Sequence, residues 1–366
     1  MKILYGVQAT GNGHTTRARM MAEAFQQLNI EVDWVFSGRD KKDMFDMEIF
    51  EDYQLFPGLT LAIDNGSLNY FKTAFKNNIA QFIRDVYHFD THRYDLIIND
   101  FEPITAWSAK RQGRKVIGLS HQNSFSANIP RAGSNLLAET ILKYFAPTTT
   151  GIGLHWDHFD DNVLPPIIAP YTEKTRLSEH HIQVYYPFCA AEKLIDWFAP
   201  FKNYQFHIFH GENTDTGYEH IKLYHFSRKN FQKLQTQCAG VITAAGFALC
   251  SEALQIGQKL LLIPLARQME QLSNALALKQ MQRATLINQF SNQELEKWLQ
   301  QPIHQPVNYP NVALEVAKWL VNSEKESLKN LSKRLWQETK ASVDNTSAVL
   351  PFTANHALKM SGENVN

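Results

Sequence analysis

The sequence predicts an α/β protein built from two doubly wound, Rossmann-like domains that face one another across a cleft. Three observations predict it. The chain has 366 residues, which at ~150 residues per domain is more than one domain and fewer than three. Short β-branched and aromatic runs alternate with longer helical patterns along its whole length, the mark of βαβ units on a mostly parallel sheet. Near the middle, Val163–Pro170 (VLPPIIAP) carries three prolines, which block helix and interrupt a central strand, so this stretch reads as the linker.

Taken in order, Lys2–Val7 is an apolar run of strand length and opens the first βα unit. Thr16–Leu28, rich in alanine and methionine, reads as its helix. Glu31–Phe36 and Thr60–Ile63 read as the next strands. Phe71–Phe89 sets Phe71, Phe75, Phe82 and Val86 on one helical face, a core stripe by its spacing. Asp95–Asn99, Lys115–Leu119 and Gly151–Leu154 complete the first series. The second series runs Gln183–Pro187, Gln205–Phe209, Ile221–Tyr224, Gly240–Thr243, Lys259–Ile263 and Ala284–Ile287. After Phe290 the pattern turns polar and helical, with Val312–Val321 and Ser327–Thr339 as helices and a loose tail from Ser361.

Composition narrows the function. Lys+Arg and Asp+Glu both number 36, a balance that fits neither a nucleic-acid partner nor an acidic tail. No run approaches the roughly 18 apolar residues of a membrane-spanning helix. Three cysteines without C-x-x-C spacing argue against a disulfide framework or a zinc cluster and for a reducing compartment. Gly6 and Gln8 break the opening apolar stretch before a signal-peptide h-region forms. The expected location is the cytoplasm.

Chemistry is expected at the strand ends facing the cleft. After the first strand come Gly11-Asn12-Gly13-His14 and a helix. Gly11 and Gly13 allow close approach of backbone to a ligand, and the helix start offers unpaired N–H groups. The spacing is not G-x-G-x-x-G, and Ser37-Gly38-Arg39 stands where a dinucleotide site needs an acid. A helix N-terminus repels positive charge, so His14 is a candidate general base. The strand YDLIIND ends at Asp100, followed by Glu102. Either carboxylate could orient His14 or meet an acceptor, with helix capping as the plainer role. His121, Gln122 and Asn123 supply polar side chains at the next strand end. Asp157, Asp160 and Asp161 beside His155 and His158 lack the spacing of a metal site, so no metal is expected.

In the second half, a strand leads into Gly246-Phe247 and a helix whose N-terminus suits a diphosphate. Glu252 lies six residues beyond Gly246, and Glu270, Gln271 and Asn274 follow within one helical turn of each other. These residues resemble the nucleotide-binding half of GT-B glycosyltransferases. The nearest resemblance is to glycosyltransferase family 28, which adds N-acetylglucosamine to a lipid-linked muramyl peptide, and to bacterial and archaeal proteins related to it.

The resemblance implies that Gly246 and Phe247 hold the diphosphate and Glu252 the ribose. Glu270, Gln271 and Asn274 would then contact the donor sugar. Phe226 or His225 would lie beside the nucleobase, with Phe226 stacking on it. His14 stands where the family has its acceptor-side base, and His121-Gln122-Asn123 is similar to a His-Glu-Gln-Asn segment. The turn ATGNGH lacks the family's fuller glycine run, so a diphosphate-linked lipid acceptor is not implied.

On this reading residues 1–165 form the acceptor side and 171–320 the UDP-sugar side, while 321–366 form helices and a tail packing back on the first domain. The expected activity is metal-independent, inverting sugar transfer to a hydroxyl acceptor, in cell-surface glycan or glycolipid synthesis. No cofactor is expected, and a lipid acceptor would bring peripheral membrane contact. The rivals are a nucleotide-sugar hydrolase and a non-catalytic nucleotide-sugar-binding regulator.

Overall fold

A computed structural model describes residues 1–60, 63–64, 67–68, 77–159, 162–170, 177–212, 214–322 and 326–344. The strands are β1 (Ile3–Gln8), β2 (Val32–Ser37), β3 (Gln54–Phe56), β4 (Ile63–Asp64), β5 (Ser67–Leu68), β6 (Leu96–Asp100), β7 (Ile117–Ser120), β8 (Thr150–Leu154) and β9 (Val163–Leu164). In the second half they are β10 (Ser178–Tyr185), β11 (Gln205–Phe209), β12 (Ile221–Tyr224), β13 (Cys238–Thr243), β14 (Lys259–Leu262) and β15 (Ala284–Leu286). One parallel sheet has the order β3-β2-β1-β6-β7-β8-β9 and the other β12-β11-β10-β13-β14-β15. The strand order reverses between β1 and β6 and again between β10 and β13. Loops leave those neighbouring strands in opposite directions, and each reversal opens a crevice at the carboxyl edge.

The helices are α1 (Asn12–Gln27), α2 (Ile79–His88), α3 (Pro103–Arg111), α4 (Leu136–Tyr144), α5 (Ala191–Phe198) and α6 (Arg228–Gln235). After them come α7 (Phe247–Ile256), α8 (Met269–Gln280), α9 (Asn292–Leu299), α10 (Val312–Val321) and α11 (Leu328–Asp344). No helix of the described residues is long and apolar enough to cross a membrane.

The structure corrects several boundaries. The third strand is β3, not Thr60–Ile63, and residues 63–64 instead form an antiparallel pair with β5. α1 starts at Asn12, four residues before the expected Thr16, so Gly13 and His14 lie inside the helix. β10 begins at Ser178, and Val163–Leu164 of the expected linker pairs with β8 as an edge strand, the position where following prolines are tolerated. α9 was not expected as a separate helix. Phe71 and Phe75 lie outside the described residues, as does the tail from Ser361; Val86 is buried, while Ile79, Ile83 and Tyr87 face outward.

The largest apolar core crosses from one sheet to the other. Tyr5, Met21, Phe25 and Ile98 on the first side join Phe247, Cys250 and Leu254 of α7. α10, which falls inside the expected 171–320 unit, belongs to this core through Val312, Val316 and Leu320 and packs on α1. α11 is fastened to the first sheet, where Ser332 Oγ and Trp336 Nε1 both donate to the Val163 carbonyl, at 2.9 and 2.6 Å.

Candidate active site

At the reversal of the first sheet, β1 delivers His14 and β6 delivers Asp100. Gly11 is the N-cap of α1, and no side chain caps that helix. One turn in, His14 Nδ1 lies 2.7 Å from Asp100 Oδ1. Asp100 is wholly buried, whereas 14% of the His14 side chain is exposed. A carboxylate oxygen offers only lone pairs, so this contact places the imidazole proton on Nδ1 and leaves the Nε2 lone pair available as a base.

Arg17, which the sequence reading passed over, completes the cluster. Its Nε donates to Asp100 Oδ2 and its Nη2 to Asp100 Oδ1, both at 2.7 Å. Nη2 also lies 3.1 Å from His14 Nδ1. Burial alone would raise the Asp100 pKa, but the Arg17 charge and the hydrogen bonds from Arg17 and His14 outweigh it and hold the carboxyl below its ordinary value. The signal was present in the sequence: Arg17 lies three positions beyond His14, which puts them on one helical face.

The second sheet brings a matching edge. α7 begins after Gly246, its N-cap, and again no side chain caps it. Elsewhere the first turns of the described helices are satisfied, for example by Asn78, Glu102, Ser227 and Asn311. Even α5, without a cap of its own, has its Ala191 N–H bonded to Glu212. The two uncapped N-termini, α1 and α7, come together: a Cβ built on Gly13 would stand 3.3 Å from the Ala248 Cβ, and one on Gly246 would meet nothing within 4 Å. Arg39 Nη1 donates to Asn12 Oδ1 at 3.0 Å. Two helix starts with free N–H groups and aligned dipoles make an anion-binding edge.

The remaining candidates divide into open and committed groups. Phe226 is 50% exposed in the loop after β12. Glu252 is half-buried, and burial pushes its carboxyl up to about 7 against the pull of Gln235 and the Arg228 charge. Arg228 itself reaches across to Asp46 of the first half, 3.2 Å away.

Glu102, by contrast, is a cap. Its oxygens accept from the Ile104 and Thr105 amides and from the Thr105 and Ser37 hydroxyls, and none of it is exposed, so it reaches neither His14 nor an acceptor.

Glu270, Gln271 and Asn274 each hold a different partner. Glu270 accepts from Gln122 Nε2 at 3.0 Å, and Gln271 Oε1 accepts from the Leu265 amide. Asn274 is buried, with Oδ1 2.8 Å from His121 Nε2 and Nδ2 donating to the Ala245 carbonyl. His121 stacks on Phe247 at 4.1 Å, and the Phe247 ring also packs on Trp156. The Phe247 ring therefore belongs to the contact between the halves, and only its backbone faces the open edge. Asn123 is turned toward Ser120 within its own loop. Asp160 and Asp161 lie outside the described residues, and among those described no three His, Cys, Asp or Glu side chains are grouped to hold a metal.

Comparison with known proteins gives this geometry a family. The family model described as glycosyl transferase family 1 matches residues 1–302. The chain belongs to glycosyl transferase family 1. No curated protein matches it. Among solved structures it is similar to Acinetobacter baumannii MurG, of family 28, with 13% identity, a TM-score of 0.53 and coverage of 92% of this chain and 99% of that one. Arabidopsis thaliana UGT89C1, complexed with quercetin, is similar at 10% identity and a TM-score of 0.57, over 92% of this chain and 98% of that one. The glycosyltransferase VinC, in complex with DTDP, is similar at 12% identity and a TM-score of 0.53, over 93% and 100%. The fold is GT-B, and the protein is a glycosyltransferase.

Proposed function

We propose that this family member transfers a sugar from a UDP-sugar to a hydroxyl acceptor with inversion and without a metal. The observation that carries the reading is the His14–Asp100 pair set opposite the open, uncapped start of α7. His14 Nε2 takes the proton of the acceptor hydroxyl as its oxygen attacks the anomeric carbon. The bond from that carbon to the diphosphate breaks, and the departing UDP carries the electron pair and negative charge to the N–H groups of α7. A single displacement of this kind inverts the anomeric centre.

Glu252 accepts from the ribose diol and Phe226 stacks on the base. Glu270 and Gln271 meet the sugar once their present partners release them. The nucleotide bound in VinC is in keeping with a nucleotide-sugar donor. A lipid-borne acceptor would bring Ile79, Ile83 and Tyr87 of α2 against a membrane surface. The three free cysteines are in keeping with work in the reducing cytoplasm.

Incubation with a panel of UDP-sugars and hydroxylated acceptors, read by mass spectrometry and by NMR of the product anomer, tests this. His14→Ala is expected to lose about 10²–10⁴-fold in transfer rate while UDP affinity stays as in the wild type. Undiminished transfer by His14→Ala, or free sugar released at full rate without acceptor, would overturn it.

A further inference from the structure

A cavity of about 290 Å³ opens in the first half. Its wall includes Phe101, the residue after Asp100, and Gln122, whose amide holds Glu270. From there it continues between α3 and the end of α4, where Lys110, Lys143 and Thr148 line it.

Three features of this cavity have no role in the fold. No acidic residue lines it, although it holds two lysines. Lys110 Nζ lies 4.8 Å over the Trp107 ring and Lys143 Nζ 5.2 Å over the Tyr144 ring, and neither meets a carboxylate among the described residues. The acid nearest in sequence on α4, Glu139, is already held by Arg131 and Ser134. Finally, the Gln122 Oε1 is buried without a hydrogen-bond partner.

The two ends of the cavity thus ask for different chemistry. At the Gln122 end there is a buried acceptor without a partner, and at the C-terminal ends of α3 and α4 there are two ammonium groups that want an anion. Lys110 stands eight residues beyond Glu102, which at 1.5 Å per residue is about 12 Å along the helix. We propose that this cavity selects an acceptor carrying both a hydroxyl and, at its far end, a carboxylate or phosphate. The inference rests on the transferase reading, with the first half as the acceptor side.

The probes are 3-(4-hydroxyphenyl)propionate, its methyl ester as the neutral control, and 4-hydroxyphenethyl phosphate, titrated into the full chain in the presence of UDP. The expected result is at least tenfold tighter binding of one of the two acids than of the ester, with the advantage shrinking at high salt. The acid that binds tighter identifies the anion. Lys110→Gln/Lys143→Gln is expected to abolish the preference while leaving UDP affinity and thermal midpoint unchanged. Equal or undetectable affinity for acids and ester, or a preference that survives in the double variant, would overturn the proposal. Sugar transfer assayed separately keeps the two readings distinct: transfer without acid preference sinks only the cavity inference, whereas acid preference without transfer from any nucleotide sugar sinks only the transferase.

Discussion

Replacing Arg17 by methionine keeps much of the side chain's length and removes its charge from a wholly buried carboxylate. Two charge-assisted hydrogen bonds of 2.7 Å are lost, and Asp100 keeps only His14 as a partner. At about 1.5–3 kcal/mol for each such bond, and about 3–5 kcal/mol for breaking a buried pair from one side, the expected loss at pH 7.5 is roughly 3–5 kcal/mol.

The pH dependence has a definite sign. In the wild type the Asp100 pKa is depressed, so its contribution is present above the unfolded value near 4 and is lost only as pH falls through the folded one. In Arg17→Met the burial remains and the main opposing charge is gone, so the pKa rises. The folded variant then binds a proton that the unfolded chain does not, which favours folding as pH drops toward 4. The stability gap between wild type and variant is therefore widest at neutral pH and narrows at pH 4–5. Urea unfolding at pH 7.5 and 4.5 measures both quantities. Asp100→Asn introduced beside Arg17→Met should recover part of the loss, because no unpaired charge is then buried. A cost below about 1 kcal/mol, or strictly additive costs in the double variant, would refute the reasoning.

Three further outcomes follow from the donor side. Glu252 titrates at about 7, and only its ionised form offers the ribose diol two full acceptors. UDP affinity measured by calorimetry should rise from pH 6 to 8 in the wild type and stay flat in Glu252→Gln. The raised pKa also means that the carboxyl costs stability as pH climbs from about 4.5 to 7, so Glu252→Gln should unfold at higher urea than the wild type at pH 8. Gly246 has φ −66° and open space where a Cβ would stand. Gly246→Val should leave the thermal midpoint nearly unchanged, while the added methyls block the approach of a diphosphate and weaken UDP binding at least tenfold.

The buried strands were legible because a parallel strand covered on both faces is an unbroken apolar run, as the ILYGV stretch of β1 and the LII stretch of β6 show. β3 was not, since three residues at a sheet edge carry too little pattern to outweigh the β-branched run that follows. The start of α1 was misplaced because its N-cap is a glycine, which leaves no side-chain signal. Glu102 before Pro103 carried both a capping and a catalytic meaning in the sequence, and the neighbouring Ser37 and Thr105 hydroxyls decide for the first. His14 and Asp100 could be paired from topology, because both follow strands that meet at the reversal of the sheet. The fate of Asn274 could not, since its partner His121 is 153 residues away and on the other sheet. Arg17 carries no motif of its own, although a buried arginine needs an acid and Asp100 is the one it meets.

The chain passes between the two sheets twice, once beyond β9 and again between α9 and α10. The returning segment is laced to the far end of α7, with His304 N–H donating to the Gly257 carbonyl and Val307 N–H to that of Leu254, both at 2.9 Å. The starts of α1 and α7 are therefore joined twice, once where they meet and once through the chain that runs from the far end of α7 back to α10 on α1.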